Sequence, residues 1–169
     1  MNIADLETRP AQPFDADGIA LAHRDSIQSI GPAFYPPNVV EDWSEGLTGD
    51  LYLKAMDRGE VFFVAIGTIA GAHLVLGFAT DYWIDGLMHG TSVYVRGAAA
   101  RCGIGSQLLA LAEGHAVANG AAEIHVEASL AGVEFYRANG FIETGPGETR
   151  LTSGRPIACV FMRKSLVAS

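Results

Sequence analysis

Thr91-Ser92-Val93-Tyr94-Val95 leads, through Ala100-Arg101-Cys102-Gly103-Ile104-Gly105-Ser106, to Glu134-Phe135-Tyr136-Arg137-Ala138-Asn139-Gly140-Phe141. The first piece alternates like a strand, the second is a glycine-bearing turn, and a helix from about Gly105 to Asn119 follows at once. Strand, turn and helix start therefore meet at one point, where glycines let backbone N–H groups crowd an anion and the helix dipole favours negative charge. A pyrophosphate fits that description.

Two familiar phosphate motifs fail here. A P-loop needs Gly-Lys followed by Ser or Thr, and Gly105 is followed by Ser106 and Gln107. A dinucleotide fingerprint needs a third glycine where this chain has Leu108. What remains is Val-x-Val, a turn of the form x-x-x-Gly-x-Gly, a helix, a strand, and Phe-Tyr-x-x-x-Gly-Phe. This pattern resembles the Gcn5-related N-acetyltransferase (GNAT) superfamily. The resemblance is most specific from Val93 to Phe141 and extends more loosely from Thr8 to Met162.

The resemblance implies an α/β (α+β) fold: a mixed, mainly antiparallel central sheet flanked by helices, with a splayed strand pair forming an acyl-CoA cleft. It implies acetyl-CoA as co-substrate and transfer of the acetyl group to a primary amine by direct attack in a ternary complex. The backbone of Val93, Tyr94 and Val95 would hold the pantetheine arm, with the Val93 amide as oxyanion donor. Arg101, Cys102, Gly103, Ile104, Gly105 and Ser106 would cradle the pyrophosphate, and Ser129 would lie near the arm. Ala100 stands where the family usually has Gln or Arg, so Arg101 next to it would supply displaced charge.

Tyr136 is the expected general acid. A phenol's reference pKa near 10 lies close enough to a departing thiol's roughly 8.5 to give a proton without ionising at neutral pH. His89, just before the central strand, is the leading candidate for general base, with a reference pKa near 6.5. Asp81, Asp85, Glu41 and Asp42 are alternatives. Cys102 is expected beside the pyrophosphate, about a pantetheine arm from the thioester carbon, which argues against a covalent route. The competing reading is a non-catalytic acyl-CoA sensor or interaction module on the same fold.

At 169 residues the chain suits one domain over 1–169, long enough for a substantial core without disulfides or metal. The start of the sequence lacks a signal-peptide pattern and no apolar run spans a bilayer, so a cytoplasmic location is expected, without a membrane partner. The two cysteines, Cys102 and Cys159, form no metal-ligand spacing and are expected to be reduced. A net charge of -8 excludes a general nucleic-acid binder. It can also draw in a cationic amine. An edge strand in the last hairpin leaves monomer or homodimer open.

Elsewhere the pattern predicts a strand near Leu6 to Arg9 and a helix to Ile30 capped by Asp15 or Asp17. Helical stretches follow near Val39 to Leu47 and Asp50 to Arg58. Strands are predicted over Val61 to Ile66 and His73 to Thr80, with Asp81 to Gly90 as a connector. Glu123 to Ala128 alternates as a half-buried strand, Ala131 to Asn139 is helical with Gly140 as its cap, and Glu148 to Leu151 and Ile157 to Met162 form a last hairpin. Acceptor specificity is assigned to Phe34-Tyr35-Pro36-Pro37, Trp43, Tyr82-Trp83 and that hairpin.

Overall fold

The computed structural model describes residues 2–167, apart from the side chains of His89 and Thr91. Seven strands form one sheet in the order β1-β2-β3-β4-β5-β7-β6. They are β1 (Ala4–Pro10), β2 (Val61–Ile69), β3 (Ala72–Ile84), β4 (Leu87–Val95), β5 (Glu123–Ser129), β6 (Ile142–Arg150) and β7 (Pro156–Ser165). Helices α1 (Ala16–Ile30), α2 (Pro37–Ser44) and α3 (Gly49–Asp57) cover one face. Helices α4 (Ile104–Ala118) and α5 (Val133–Ala138) cover the other. Among the described residues no helix is long and apolar enough to cross a membrane.

Every neighbouring pair is antiparallel except β4 with β5. That parallel pair holds register only at Met88 with Ile124 and His89 with His125. Beyond it β4 continues to Val95 against β3, while β5 continues to Ser129 against β7. The two strands separate into a V, as the sequence resemblance implied. An irregularity opposite Ala79–Asp81, where three steps of β4 face two of β3, adds local twist at the mouth of the V.

Alternation along the strands assigns side chains to the two faces. Phe62, Val64 and Phe78 pack with Ile19, Ala22 and Tyr52 on the α1–α3 side. Phe63, Ala65, Leu76 and Ala79 meet Ile104, Leu108 and Ala112 of α4 on the other. The stripe Ile104, Leu108, Ala112, Ala116 recurs every four residues and is buried throughout, which is why α4 forms as an amphipathic helix.

Three expectations about elements need correction. Asp81 to Gly90 is not a connector: β3 and β4 run to Ile84 and Leu87 and turn at Asp85-Gly86, both at positive φ (51° and 80°). An Asp-Gly pair between apolar residues is the two-residue hairpin signal. His89 therefore lies inside β4, opposite Tyr82, rather than in a loop; its side chain lies outside the described residues. Strand β6 begins at Ile142, well before Glu148, because an edge strand tolerates the Gly145-Pro146-Gly147 run that hides it in sequence. Asp15 stands at the α1 N-cap but caps no N–H of α1; its carboxylate accepts from Arg9 at 2.8 and 2.9 Å and from the Gln12 amide at 2.7 Å. Gly140 follows α5 at φ 90°, as the cap reading requires.

Candidate active site

The turn between β4 and α4 carries Arg101 at φ 60° and Gly103 at φ 78°. Gly103 is the N-cap of α4, in the left-handed region, with no side-chain capping bond and no acidic residue in the first turn. The first N–H groups of α4 are therefore left for an external acceptor. A Cβ on Gly103 would meet nothing within 4 Å, so open space lies directly over this backbone. Gly105 has a different reason to be glycine: a Cβ there would sit 3.0 Å from the Phe135 ring, and its absence lets α4 approach α5.

From this turn a cavity of about 520 Å³ runs along the V. Val93, Tyr94, Val95, Ala100, Arg101, Gly103, Gly105 and Ser106 line it from one side, and Ser129, Ala131, Gly132 and Phe135 from the other. The Arg96 amide donates to Leu76 O on β3 at 2.8 Å, so by strand alternation the amides of Val93 and Val95 face the V. The residues present thus fit a phosphorylated, amide-bearing arm: an uncapped helix start at one end and an open strand edge along the length.

The Val93 amide donates to Tyr136 Oη at 3.1 Å. Tyr136 is 5% exposed, wedged by Phe135 and Phe141 at ring-centroid distances of 5.1 and 5.2 Å. Burial drives its phenol well above the usual value, the neighbouring Tyr94 adds to this, and the Val93 amide opposes it. Since Oη accepts from Val93, the hydroxyl hydrogen remains free to be donated elsewhere.

A second cavity of about 270 Å³ lies on the α1 side and shares Trp43, Tyr94 and Ser129 with the first. Its walls come from α1 (His23), α2 (Trp43), β3 (Tyr82), β4 (Gly90, Ser92), β5 (Glu127) and the β6–β7 hairpin (Arg150, Leu151, Ile157). Tyr94 stands between them, its ring 3.8 Å from His23 and 5.6 Å from Phe78. Burial pushes Tyr94 up to about 12, the Ser92 hydrogen bond opposes this, and Tyr35 adds to it. The His23 Nδ1 lies 2.7 Å from Tyr52 Oη, and burial pushes the imidazole down to about 3, so it is neutral.

Clasps fix these walls. Tyr35 Oη donates to Ala158 O and accepts from Leu130 N, each at 2.8 Å, tying the α1–α2 loop to β7 and to the loop after β5. Asp42 takes Arg155 Nε at 2.6 Å and Ser153 Oγ at 2.9 Å, pinning the β6–β7 turn to α2.

The sequence-derived residues divide accordingly. Val93, Tyr94, Val95, Arg101, Gly103, Gly105, Ser106 and Ser129 all line the first cavity. Ile104 contributes backbone only, because its side chain is buried against the sheet. Cys102 is exposed, its Sγ 3.5 Å from Ala100 O. Asp81 does not reach either cavity: it is 1% exposed, faces α4, and its Oδ2 lies 3.2 Å from His115 Nδ1. Asp42 is held by Arg155, Asp85 is in the hairpin turn, and neither they nor Glu41 line a cavity. Of the acceptor segments, Trp43 and Tyr82 line the second cavity, Tyr35 is a clasp, and Trp83 is exposed on the opposite face. In the sequence Glu127 is only the polar half of an alternating strand. The same alternation puts Glu123, His125, Glu127 and Ser129 on one face, and that was the available signal. Among the described residues no group of three His, Cys, Asp or Glu could hold a metal ion.

A mostly antiparallel sheet whose one parallel pair opens beside a glycine-bearing helix start defines the acyl-CoA-dependent acetyltransferase class of fold. A family model of the acetyltransferase (GNAT) domain matches residues 58–143, and the chain belongs to this family. No curated protein matches the sequence. Among solved structures, a GCN5-related N-acetyltransferase from Rhodopseudomonas palustris shares 25% identity over 98% of each chain, with a TM-score of 0.80. PaiA N-acetyltransferase from Thermoplasma acidophilum, solved with coenzyme A, shares 19% identity, covering 95% of this chain and 99% of its own, with a TM-score of 0.74. YncA from Salmonella typhimurium, solved with acetyl-CoA, shares 20% identity over 98% and 96%, with a TM-score of 0.70. The reaction class is therefore acetyl transfer.

Proposed function

We propose that the chain moves the acetyl group of acetyl-CoA directly to a primary amine, with the donor in the first cavity and the acceptor in the second. Acetyl-CoA supplies the activated acyl carbon; the residues supply position and protons. The observation that carries this reading is the 3.1 Å contact from the Val93 amide to Tyr136 Oη, beside the wall where the two cavities meet. It puts a backbone donor and a protonated hydroxyl at one point.

Gly103, Ile104, Gly105 and Ser106 offer backbone N–H groups to the pyrophosphate, with Arg101 adding charge, while Val93 and Val95 hold the arm. The Val93 N–H is given to Tyr136 Oη, so it fixes that hydroxyl and is not the donor to the thioester oxygen. Glu127, which lines the second cavity, takes a proton from the bound ammonium. The amine nitrogen then forms its bond to the acyl carbon as the carbon–sulfur bond breaks. Tyr136 gives its hydroxyl proton to the departing sulfur. The nitrogen loses two protons in all; one restores the Tyr136 hydroxyl and the other leaves through Glu127, so the products are amide, thiol and one proton. Burial raises the Tyr136 pKa, so the phenol carries its proton at neutral pH.

Neither thiol serves a covalent route. Cys102 belongs to the turn, and burial, with Glu127 and Glu148 nearby, pushes the Cys159 thiol up and away from thiolate. The test is release of free CoA from acetyl-CoA across small amines, amino acids, aminoglycosides and peptides. Turnover with one class supports the reading. Acetyl-CoA binding without release anywhere would replace it with a sensor. We further propose that residues 1–169 work as one domain.

A further inference from the structure

The second cavity carries two unneutralised charges of opposite sign. Glu127 and Arg150 both line it, and no ion pair joins them to each other or to another described residue. Of the neighbouring charges, Arg155 pairs with Asp42 and Arg163 with Glu123. Arg150 is also oriented. Its Nη1 donates to Gly154 O at 2.8 Å, which steadies the guanidinium at the hairpin end and leaves the rest of the fork for a planar anion. The same cavity is lined by Trp43, Tyr82, Leu151 and Ile157, beside the hydroxyls of Ser92, Ser129, Thr149 and Thr152. At about 270 Å³ the space lies below the ~300–1,000 Å³ of sites for drug-sized ligands.

Resting on the transferase reading above, we propose that the acceptor is a small zwitterion with an apolar body, its ammonium on Glu127 and its carboxylate on Arg150: an α-amino acid or a close analogue. A long polycation would find one carboxylate and an opposing guanidinium in this cavity, and a polypeptide N-terminus would bring no carboxylate to Arg150. An amino acid uses both charges, and its side chain meets the apolar part of the lining.

The test compares matched probes, L-phenylalanine with phenethylamine and L-methionine with 3-(methylthio)propylamine, by CoA release and by calorimetric titration into the CoA-loaded protein. The amino acid of each pair is expected to be preferred at least tenfold, and Arg150→Met should shrink that ratio at least tenfold. Arg150→Glu should reverse it. Arg150 is exposed on a hairpin end, so both variants are expected to fold. Equal turnover of the two members, or a ratio that survives Arg150→Met, would overturn the zwitterion site while keeping acetyl transfer. Selective binding of the amino acids with no release from any amine would keep the zwitterion site and overturn the transferase reading. Absence of binding and turnover with both amino acids would overturn the inference.

Discussion

The two halves of the cleft are built on different principles. The half we assign to the donor is made of backbone: an uncapped helix start at Gly103, a strand edge at Val93 and Val95, and one buried hydroxyl held by an amide. The half we assign to the acceptor is made of side chains drawn from α1, α2, β3, β4, β5 and the β6–β7 hairpin. A backbone site needs particular φ values and close approaches, which small residues at fixed spacing provide. A side-chain site needs only that the fold bring distant positions together. The donor half should thus be broken by backbone changes and the acceptor half by changes of charge.

The largest expected effect is on the donor side. Gly103→Trp fills the open space over the helix start and should weaken CoA binding in titration by at least 100-fold. The fold should survive, since a left-handed non-glycine residue costs about 1–2 kcal/mol. Affinity equal to wild type would remove the cradle from the account. Next comes Glu127→Gln, expected to lower kcat/KM for the amine on the order of 100-fold, the range of one positioned proton acceptor. His89→Gln should cost less, and the reverse order would return the base to β4.

Smaller effects concern the frame. Tyr35→Phe removes two hydrogen bonds across the β5–β7 side of the V and strands the Leu130 amide and Ala158 carbonyl, at about 1–3 kcal/mol by denaturant unfolding. The acceptor KM should rise while acetyl-CoA affinity changes less; equal effects on both would blur the division between the halves.

Burial, with Glu113 nearby, raises Asp81 from its ordinary 3.8 to about 7, so the folded state holds the extra proton and stability is lost as pH rises through that window. Burial lowers His23 from 6.5 to about 3, so its contribution is lost in the opposite direction, as pH falls below 6.5. The two slopes oppose each other where the windows overlap. Asp81→Asn should leave stability near wild type at pH 4 and raise it by about 1–3 kcal/mol at pH 8. A pH-independent difference would contradict a neutral Asp81.

The same contrast explains what could be read from the sequence. Val-x-Val, the Gly103 turn and Tyr136 lie within one stretch, and their spacing makes the proposed donor half legible in the sequence. Gly105 was legible as glycine but not for its reason, since contact with Phe135 comes from α5 far along the chain. Glu127 and Arg150 sit on β5 and β6, with no spacing to connect them, and Arg150 belongs to a strand whose start was hidden by Gly145-Pro146-Gly147. Asp81 is a candidate base only while Asp81 to Gly90 is taken as a connector; once β3 extends to Ile84, alternation turns Asp81 toward α4.

The central claim is that a protonated Tyr136, fixed by the Val93 amide, completes direct transfer in a ternary complex. Initial-rate kinetics with acetyl-CoA and an accepted amine both varied, for wild type and Tyr136→Phe, test it most directly. Intersecting rather than parallel lines are expected for the wild type. For the variant, a kcat lower by on the order of 100-fold is expected, with the acetyl-CoA KM little changed. Parallel lines, or a variant with wild-type kcat, would contradict it.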